Sequence, residues 1–547
     1  MGTIPIYDVD FYSNDFIRDP WPRYAEMRQL GPVVYLSKHD NYALTRHAEV
    51  AAALRDPATF ISGNGVAADP KANEISRGNS AASDGERHAA IRGATSVPLL
   101  PGALQAIKGQ IDLSADELIE RLTSLDGFDA MKDFATHLPL TIVRDMVGLP
   151  DAARENMLRW ANATFDLLGV QNERGRAAVD VFLEQRKFSQ TQAGPETLKP
   201  GSWTHRLFKL VEEGSLAADL APVAMRDYLN PSLDTTISAT GQLIYQLGRN
   251  PDQWELLRER PDLARQAAIE AVRMATPVRT FSRHSSREVD VAGFRIPEGA
   301  RVMMLFASAN RDERVFTDPD RFDITRNPRH HLGFGSGIHM CVGQHLAQTE
   351  MIALLEAMIP RVAQIHVGEP VVALNNTIYS FATLPARFVP AADATVNLRP
   401  LAQLVPTQKR PLSGIIARRE RIADSIVSLD IEPATGEMFP SWEPGAHVDI
   451  HVREGVIRQY SLTGSAAKAS SYTIAVQLES KSRGGSAGIH ERFTEGSPVT
   501  LSRPRNNFRL SESSKSYALF SGGIGLTPIL AMAWRLHELK RDFVWHL

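Results

Sequence analysis

Cysteine is almost absent from this sequence: Cys341 is the only one among 547 residues. A single thiol cannot form a disulfide within the chain. It also cannot supply the several thiolates of a cysteine-rich zinc site or the four of a plant-type [2Fe–2S] cluster. These structures are therefore excluded for this chain by itself, and the role of its one thiol becomes the first question.

Long apolar runs and an excess of charge of one sign are also absent. No run reaches the roughly 18 residues that a transmembrane helix requires. The opening residues, MGTIPIYDVDF, lack the basic and apolar regions of a secretory signal. Lys and Arg number 60 against 63 Asp and Glu, so the net charge of -3 creates no field that favours nucleic acid. We expect a cytoplasmic protein that binds neither membranes nor nucleic acid.

Hydrophobic periodicity predicts that the first part of the chain is mostly helical. Hydrophobic residues make up 43% of the sequence and charged residues 22%, as in an ordinary globular protein. Apolar side chains recur at spacings of three and four, which predicts helices over residues 103–122, 152–168, 225–247 and 253–275. Short strands are predicted between the helices, over residues 289–297 and 301–306.

The pattern changes after residue 390. Residues 393–414 have no sustained periodicity and contain Pro400, Pro406 and Pro411, which predicts a linker. Alternating and β-branched segments then predict a small antiparallel β-barrel over residues 415–512. Its strands are expected at residues 446–452, 459–463, 472–478 and 499–501.

Residues 513–547 have the pattern of one βαβ unit. A strand at 517–520, the turn SGGIG, a helix at 526–540 and a second strand at 543–547 follow one another. So few residues cannot close the core of a doubly wound α/β domain. We therefore expect a fragment of a longer chain, divided into a first domain over residues 1–392, the linker, the barrel and an incomplete α/β domain.

The cysteine lies in a glycine-rich loop, HLGFGSGIHMCVGQHLAQTE, just before a long apolar helix. The N-terminus of a helix stabilises a thiolate, which suits a permanent anionic metal ligand. Gly335, Gly337 and Gly343 would let the backbone approach a flat cofactor closely. The alternative for a lone cysteine is a small buried hydrophobic residue without a ligand.

This loop resembles a known haem-binding signature. FGSGIHMCVG matches the pattern F-G-x-G-x-H-x-C-x-G of the cytochrome P450 family at every fixed position, and the resemblance extends over the first domain. It implies the mostly α-helical cytochrome P450 fold, a bound haem b and Cys341 as the axial ligand of the haem iron. It also implies monooxygenase activity.

A second family motif is the E-x-x-R pair, here Glu270 and Arg273, whose spacing places both side chains on one helical face. The resemblance implies that the pair stabilises the scaffold behind the cysteine loop. An arginine of the segment DPDRFDITR would be its third partner, with Arg326 favoured and Arg321 as the alternative.

A haem carries two propionates, so the fold must supply cations to bind them. The family motif H-x-x-x-R is present in the segment HAAIR, and it places its two basic residues on one helical face. By the resemblance, the residues that bind the propionates are His88, Arg92, Arg283 and His339.

The segment PSLDTT aligns with the family's central helix, whose usual pattern is [A/G]-G-x-[D/E]-T-[T/S]. The resemblance assigns proton delivery during dioxygen activation to Asp234 and Thr235. Pro231 and Ser232 replace the two small residues of the pattern. Because proline has no N–H to donate to the carbonyl of Asp227, we expect a local kink here, and the alternative is a distortion that impairs the site.

The second half of the chain resembles phthalate dioxygenase reductase, an FMN-binding member of the ferredoxin-reductase superfamily. The resemblance rests on RQYSLTG, on SRGGS, whose glycines can expose backbone N–H groups to an anion, and on SGGIGLTPIL. It implies that FMN is bound by Arg458, Tyr460, Ser461, Gly485 and Ser486. Thr527 would lie at the start of the NAD(P)H-binding domain, on the side that faces the nicotinamide and the flavin.

The order of these parts resembles the self-sufficient bacterial fusions of a P450, an FMN reductase and a [2Fe–2S] ferredoxin. In that family electrons pass from NAD(P)H to FMN, to the cluster and to haem. This sequence lacks the cysteines for the cluster. A ferredoxin-type donor must therefore belong to the full-length chain or be supplied separately.

The resemblance predicts a haem-thiolate monooxygenase that inserts one atom of O2 into a small organic substrate, by hydroxylation or dealkylation. Two alternatives are a peroxide-driven peroxygenase and a non-catalytic haem-binding module tethered to a flavin reductase. The substrate is not predicted, because its pocket would be lined by loops such as residues 62–83 and 170–204.

Overall fold

A computed structural model describes residues 2–326, 330–391, 412–434, 439–440, 442–453, 456–465, 471–479, 484–506, 508, 510, 514 and 516–546. The chain divides into two compact units, Met1–Leu398 and Arg399–Leu547. Most of the predicted linker, residues 393–411, lies outside the described residues. Within the described ranges, no helix is long and apolar enough to cross a membrane.

The first unit is mostly helical, as predicted. Its helices are α1 (Asn14–Arg18), α2 (Trp21–Leu30), α3 (His47–Arg55), α4 (Pro70–Ser76), α5 (Gly85–Ser96), α6 (Pro101–Thr123), α7 (Arg144–Val147), α8 (Asp151–Arg154), α9 (Met157–Leu167), α10 (Glu173–Thr191), α11 (Trp203–Glu212), α12 (Ala221–Leu229), α13 (Asp234–Arg249), α14 (Pro251–Glu259), α15 (Ala264–Ala275), α16 (Phe306–Ala309) and α17 (Gln344–Met358). Two π-helical segments, Ala130–Ala135 and Pro139–Val143, lie between α6 and α7.

Short strands accompany these helices. They are β1 (Ile6–Tyr7), β2 (Val33–Leu36), β3 (Asn41–Leu44), β4 (Phe60–Ile61), β5 (Phe128–Asp129), β6 (Phe281–Ser285), β7 (Val289–Val291), β8 (Phe294–Ile296), β9 (Arg301–Met304), β10 (Val362–Val367), β11 (Val371–Val372), β12 (Phe381–Thr383) and β13 (Pro385–Pro390). The larger sheet has the order β1-β2-β3-β9-β6-β4, and a smaller one has the order β10-β13-β5.

Proline breaks two of the predicted helices. The helix expected over residues 225–247 is two helices, because α12 ends at Leu229 and α13 begins at Asp234, with Pro231 between them. The helix expected over residues 253–275 divides at Pro261 into α14 and α15. In both places the missing N–H of proline removes a hydrogen bond of the helix.

Two further predictions of continuous elements are wrong. The helix expected over residues 152–168 is interrupted between α8 and α9. The strand expected over residues 289–297 is a hairpin of β7 and β8. Its turn contains Ala292 and Gly293, which both have positive φ angles, of 52° and 85°. Extended strand conformation is impossible at such angles, so the chain reverses.

The apolar faces of α6, α13, α15 and α17 form the main core of the first unit. Leu118, Leu243, Ala268 and Leu354, one from each helix, are buried in the same cluster. Helix α17 packs against α6 and α15, and α13 packs against α15. Because α17 follows the cysteine loop directly, this packing fixes the position of the loop.

The second unit contains the predicted antiparallel barrel. Its strands are β14 (Leu412–Ala423), β15 (Ile426–Pro433), β16 (His447–Arg453), β17 (Val456–Thr463), β18 (Tyr472–Gln477) and β19 (Pro498–Leu501), and a short helix, α18 (Ser486–Arg492), precedes β19. The barrel closes in the order β14-β15-β18-β17-β16-β19. Side chains such as Ile450, Leu462 and Ile474 fill its interior.

A βαβ unit follows the barrel, also as predicted. It consists of β20 (Ser516–Phe520), α19 (Leu526–Glu538) and β21 (Asp542–His546). The two strands are parallel, with Ser516 opposite Asp542 and Phe520 opposite His546. Helix α19 packs on them through Ile529, Met532 and Leu536, which are buried with Leu519.

Helix α17 carries one buried acid that the chain does not compensate. Neither carboxyl oxygen of Glu350 has a hydrogen-bond partner in the described part of the chain. Burial alone raises the pKa of this side chain from 4.5 to about 8. The folded protein therefore keeps a proton on Glu350 at pH values where the unfolded chain has lost it.

This difference predicts a pH-dependent stability. As pH rises from about 4.5 to about 8, the unfolded state releases the proton of Glu350 while the folded state keeps it. The release favours the unfolded state increasingly as pH rises. The contribution of Glu350 to the free energy of unfolding should therefore fall over this window, by at most about 1.4 kcal/mol per pH unit. In urea unfolding at several pH values, Glu350→Gln should remove this part of the slope. An identical slope in both proteins would contradict the assignment.

Candidate active site

The cysteine loop is held by its own backbone. The N–H of Cys341 donates to the carbonyl of Phe334 over 2.8 Å, which closes the loop three residues before α17 begins. Burial raises the pKa of the Cys341 thiol, whereas the backbone N–H groups of Gly343 and Gln344 and the guanidinium of Arg92 lower it. The sulfur thus lies in an apolar region with donors and a cation directed toward it.

The glycines of the loop have different functions. Gly335 and Gly337 have φ angles of 69° and 71°, in the left-handed region that favours glycine. A Cβ atom at Gly337 would lie 2.3 Å from the carbonyl oxygen of Leu54, so this glycine is required by packing against α3. A Cβ at Gly335 or Gly343 would make no contact closer than 3.8 Å. Packing against α3 therefore requires glycine at position 337 whether or not a cofactor lies nearby.

One cavity brings most of the predicted residues together. It is lined by Cys341, Arg92, Arg283, His339 and Thr235, and by apolar residues of the cysteine loop, β6 and α13. Two predicted residues, His88 and Asp234, are not among the lining residues. The ring of His88 lies behind that of His339, with 4.5 Å between the ring centroids.

Four basic side chains crowd one end of this cavity. Burial and, to a lesser extent, the nearby Arg283, His88 and Arg92 together lower the pKa of His339 to about 3. Burial likewise lowers the pKa of Arg283 to about 10. The Nε2 atoms of His88 and His339 have no hydrogen-bond partner among the described residues. A cluster of buried donors and cations that repel one another is suited to an anionic group.

Asp84 is the one acid that the sequence analysis missed at this end. Its Oδ1 lies 3.8 Å from Nε2 of His339 and accepts the backbone N–H of Ser62 over 3.0 Å. Asp84 precedes His88 by four residues, and this helical spacing was the available signal. The guanidinium of Arg92 donates to the carbonyl of Met340, which connects α5 to the cysteine loop.

The broken helix places its acid and its alcohol in different environments. Asp234 is buried, and burial raises its pKa to about 7, with a further increase from Asp166 and an opposing hydrogen bond from Asn162. Its Oδ2 has no partner in the described ranges. The hydroxyl of Thr235 lines the cavity and donates to the carbonyl of Pro231 over 2.8 Å.

Asp166, whose charge raises the pKa of Asp234, has polar partners of its own. Burial raises the pKa of Asp166 to about 6, whereas the backbone N–H of Asn376 and the guanidinium of Arg174 lower it. The Asn376 N–H donates to Asp166 over 2.8 Å, and Arg174 donates to the exposed side chain of Asn14. Sequence reasoning missed these residues because no local motif connects them to Asp234.

The E-x-x-R pair is fully buried behind the site. Glu270 and Arg273 are both 0% exposed and form two hydrogen bonds of 2.8 Å. Nε of Arg326 donates to Glu270 over 3.1 Å, so the favoured third partner is confirmed. Arg321 contributes its backbone carbonyl, which accepts from Arg273 over 3.4 Å.

The rest of the cavity has an aromatic wall and several polar groups. Its apolar residues include Leu99, Phe165, Trp203 and Tyr228, and its polar ones include Asn79, Ser80, Asp227, Asn230 and Ser232. Asn79, Ser80 and Trp203 belong to the loops expected to line a substrate pocket. The sequence did not identify the Asp227 side chain as part of the cavity. The available signal was its position seven residues, about two helical turns, before Asp234.

In the second unit, the predicted FMN residues lie on neighbouring elements. A Cβ atom at Gly485 would lie 2.6 Å from Nε of Arg458, so this guanidinium packs against the glycine backbone next to α18. Ser486 accepts the N–H of Glu479 over 3.2 Å. Burial raises the pKa of Tyr460, and the charge of Arg458 lowers it. This electrostatic effect indicates that the two side chains are close together. Ser461 follows on β17, opposite His447 of β16.

Thr527 occupies the first turn of α19 and is buried. Helix α19 packs against β17, the strand that carries Arg458 and Tyr460. The glycine turn before α19 and the predicted FMN residues therefore belong to adjoining elements of the second unit.

Comparison with known proteins identifies the family. The family described as Cytochrome P450 matches residues 223–363. Cytochrome P450 CYP199A2 of Rhodopseudomonas palustris is 37% identical over 393 residues, which cover 71% of this chain and 95% of that protein. The chain belongs to the cytochrome P450 family. Linalool 8-monooxygenase of Pseudomonas putida is 30% identical to this P450 over 387 residues, or 66% of this chain and 93% of that protein.

Solved structures extend the likeness to the second unit of this P450. Full-length CYP116B46 from Tepidiphilus thermophilus aligns over 98% of this chain and 75% of its own, with a TM-score of 0.63 and 27% identity. An intact type IV self-sufficient cytochrome P450 monooxygenase covers 98% of this chain and 74% of its own, with a TM-score of 0.61 and 24% identity, and shows likeness of fold. The predicted P450 fold followed by a β-rich part is confirmed.

Family membership also fixes the general activity. This P450 is an enzyme of the monooxygenase class, which acts on an organic substrate with dioxygen and a redox partner, and the family implies haem.

Proposed function

We propose that this P450 is a haem-thiolate monooxygenase that inserts one atom of O2 into a small organic substrate and that Cys341 is the axial ligand of its haem iron. The observation that carries the proposal is the single cavity lined by the Cys341 thiol, by Thr235 of α13 and by the basic residues Arg92 and Arg283. Such a cavity would combine an anionic ligand, counter-ions for propionates and a hydroxyl-bearing residue.

The residues present fit haem b. Two buried imidazole nitrogens without a hydrogen-bond partner among the described residues, on His88 and His339, lie near the buried Arg283 and the half-buried Arg92, and these groups would donate to the propionates of a haem. Arg92 and Arg283 line the cavity directly, while His88 would act from behind His339. When bound through a thiolate, haem supplies the binding and activation of dioxygen.

Asp234 and Thr235 are proposed to deliver protons to the reacting oxygen. A pKa of about 7 lets Asp234 both take and release a proton near neutral pH. The Thr235 hydroxyl lies in the cavity and would hold a proton donor close to the site of reaction. The charge of Asp166, which raises the pKa of Asp234, would help Asp234 to hold its proton near neutral pH.

The second unit is proposed to bind FMN and to receive electrons from NAD(P)H. The FMN phosphate would be bound by Arg458, which packs against Gly485, and by Ser486, the first residue of α18. The flavin ring and the ribityl chain would be bound by Tyr460 and Ser461. The functional division would be residues 1–392 for haem, 415–512 for FMN and 513–547 for part of an NAD(P)H domain, with Thr527 facing the nicotinamide. A [2Fe–2S] ferredoxin would carry electrons to haem, in the full-length chain or as a separate protein.

Thiolate ligation is tested by absorption spectroscopy. The protein, expressed with a haem precursor and reduced under CO, should show the strongly red-shifted Soret band that a thiolate ligand produces. Cys341→Ser should abolish this band, whereas Met340→Leu, which removes the other sulfur of the loop, should preserve it. A histidine-type band in the wild type, or a retained band in Cys341→Ser, would refute the proposal.

The role of Thr235 is tested by comparing two oxidants. With an added ferredoxin and reductase, Thr235→Ala should lower the yield of product per O2 consumed by about tenfold or more, because a proton donor is lost. Peroxide-driven turnover should fall less. Thr235→Ser keeps the hydroxyl and should behave like the wild type. Equal losses with both oxidants would count against the assignment of Thr235 to proton delivery.

The flavin site is tested by the FMN content of the purified protein, released on denaturation. Arg458→Ala should lower FMN content at least about tenfold, since a charge-assisted hydrogen bond to phosphate is lost. Arg421→Ala, which removes an exposed arginine of β14 that bonds only to Ala423 and Asp424 in the described ranges, is the matched control. Unchanged FMN content in Arg458→Ala would exclude this site.

A further inference from the structure

The cavity contains a carboxylate that the proposed chemistry does not use. Asp227, near the end of α12, is only 8% exposed and lines the cavity together with Thr235 and Cys341. It is also distinct from Asp234, which lies outside the cavity lining. A molecule that fills this cavity would therefore lie next to an acid.

The protein satisfies this carboxylate incompletely. Its Oδ2 accepts the backbone N–H of Ser80 over a long 3.3 Å. Burial raises the pKa of Asp227, although the Ser80 side chain and the charges of Arg226 and Arg92 lower it. A buried carboxylate with few donors is unfavourable unless another donor reaches it.

The neighbouring arginine does not supply that donor from within the cavity. Arg226 is not a lining residue, and its guanidinium lies 6.0 Å from the ring centre of Phe182. Arg92 and Arg283 line the cavity but belong to the basic cluster assigned to the propionates. A molecule in the cavity can therefore offer this carboxylate a further donor.

The wall around Asp227 favours a flat apolar molecule. Trp203, Tyr228 and Phe165 line the same cavity, and the Tyr228 hydroxyl is already engaged, since it donates to the carbonyl of Thr95 over 2.8 Å. Aromatic side chains of this kind pack well against an aromatic ring.

We propose that Asp227 determines the substrate class, namely small phenols and related aromatic compounds that present an O–H or N–H donor to its carboxylate. The same carboxyl group disfavours aromatic carboxylates, because either two anions would be buried together or one of the two acids would have to take up a proton. This inference rests on the proposed function and specifies the substrate of that same cavity.

The test measures binding, with the ferric haem-loaded chain and three probes that share one ring: 4-ethylphenol, 4-ethylanisole and 4-ethylbenzoate. Dissociation constants come from the substrate-induced change of the Soret band and from calorimetry. The phenol should bind at least about tenfold more tightly than the anisole, as expected for a hydrogen bond to a charged group, and the benzoate should bind weakly.

Two variants and a control assign the effect to the carboxylate. Asp227→Leu should bring the phenol and the anisole within about threefold of each other, and Asp227→Asn should strengthen benzoate binding about tenfold by removing the charge. Asp219→Leu, which removes an exposed acid that does not line the cavity, is the matched control and should keep the wild-type order of the probes.

The outcomes are separable from those of the proposed function. A thiolate Soret band together with equal binding of phenol and anisole, or a preference that survives Asp227→Leu, would overturn this inference alone. Absence of the thiolate band would overturn the proposed function, and this inference with it.

Discussion

The Cys341 thiol is the group on which the arrangement of the cavity in the first unit depends. Burial raises the pKa of Cys341, so a permanent thiolate requires compensation from groups fixed before any ligand arrives. Two elements provide it: the start of α17, through the N–H groups of Gly343 and Gln344, and α5, through Arg92. Because Arg92 also donates to Met340, the helix that compensates the charge holds the loop in place. The groups that hold this loop in place are therefore also the groups that would stabilise a thiolate on Cys341.

The buried ions behind the loop extend this arrangement into the scaffold. Glu270, Arg273 and Arg326 form a compact ionic group, and buried charges are tolerated only when they are paired and hydrogen-bonded. Arg273 also donates to the carbonyls of Asn310 and Pro319 over 2.8 Å each. The group thus connects α15 to the irregular segment that leads into the cysteine loop. Packing of α17 on α6 and α15 completes this support, and both α15 and α17 also contribute residues to the cavity wall.

The sequence predicted those parts of the site that depend on local spacing. Residues only a few positions apart define two of these parts: the loop of Cys341 with its glycines, and the Glu270–Arg273 pair. Both have the expected local arrangement in the structure. Pro231 predicted a disturbance of the central helix but not its extent, because the ends of α12 and α13 depend on tertiary packing. Asp166 could not be predicted, since it affects Asp234 across 68 residues of sequence (234 − 166) and belongs to no motif.

The single cysteine allows a direct test of the central claim, thiolate ligation by this residue. Resonance Raman spectra of the ferric protein should be recorded after growth with ordinary cysteine and with cysteine carrying a heavy sulfur isotope. Because Cys341 is the only cysteine, an iron–sulfur stretching band that shifts to lower frequency with the heavy isotope would establish it as the ligand. The account predicts that shift. A haem spectrum with no isotope-sensitive band would contradict it and would show that the iron is bound by another residue.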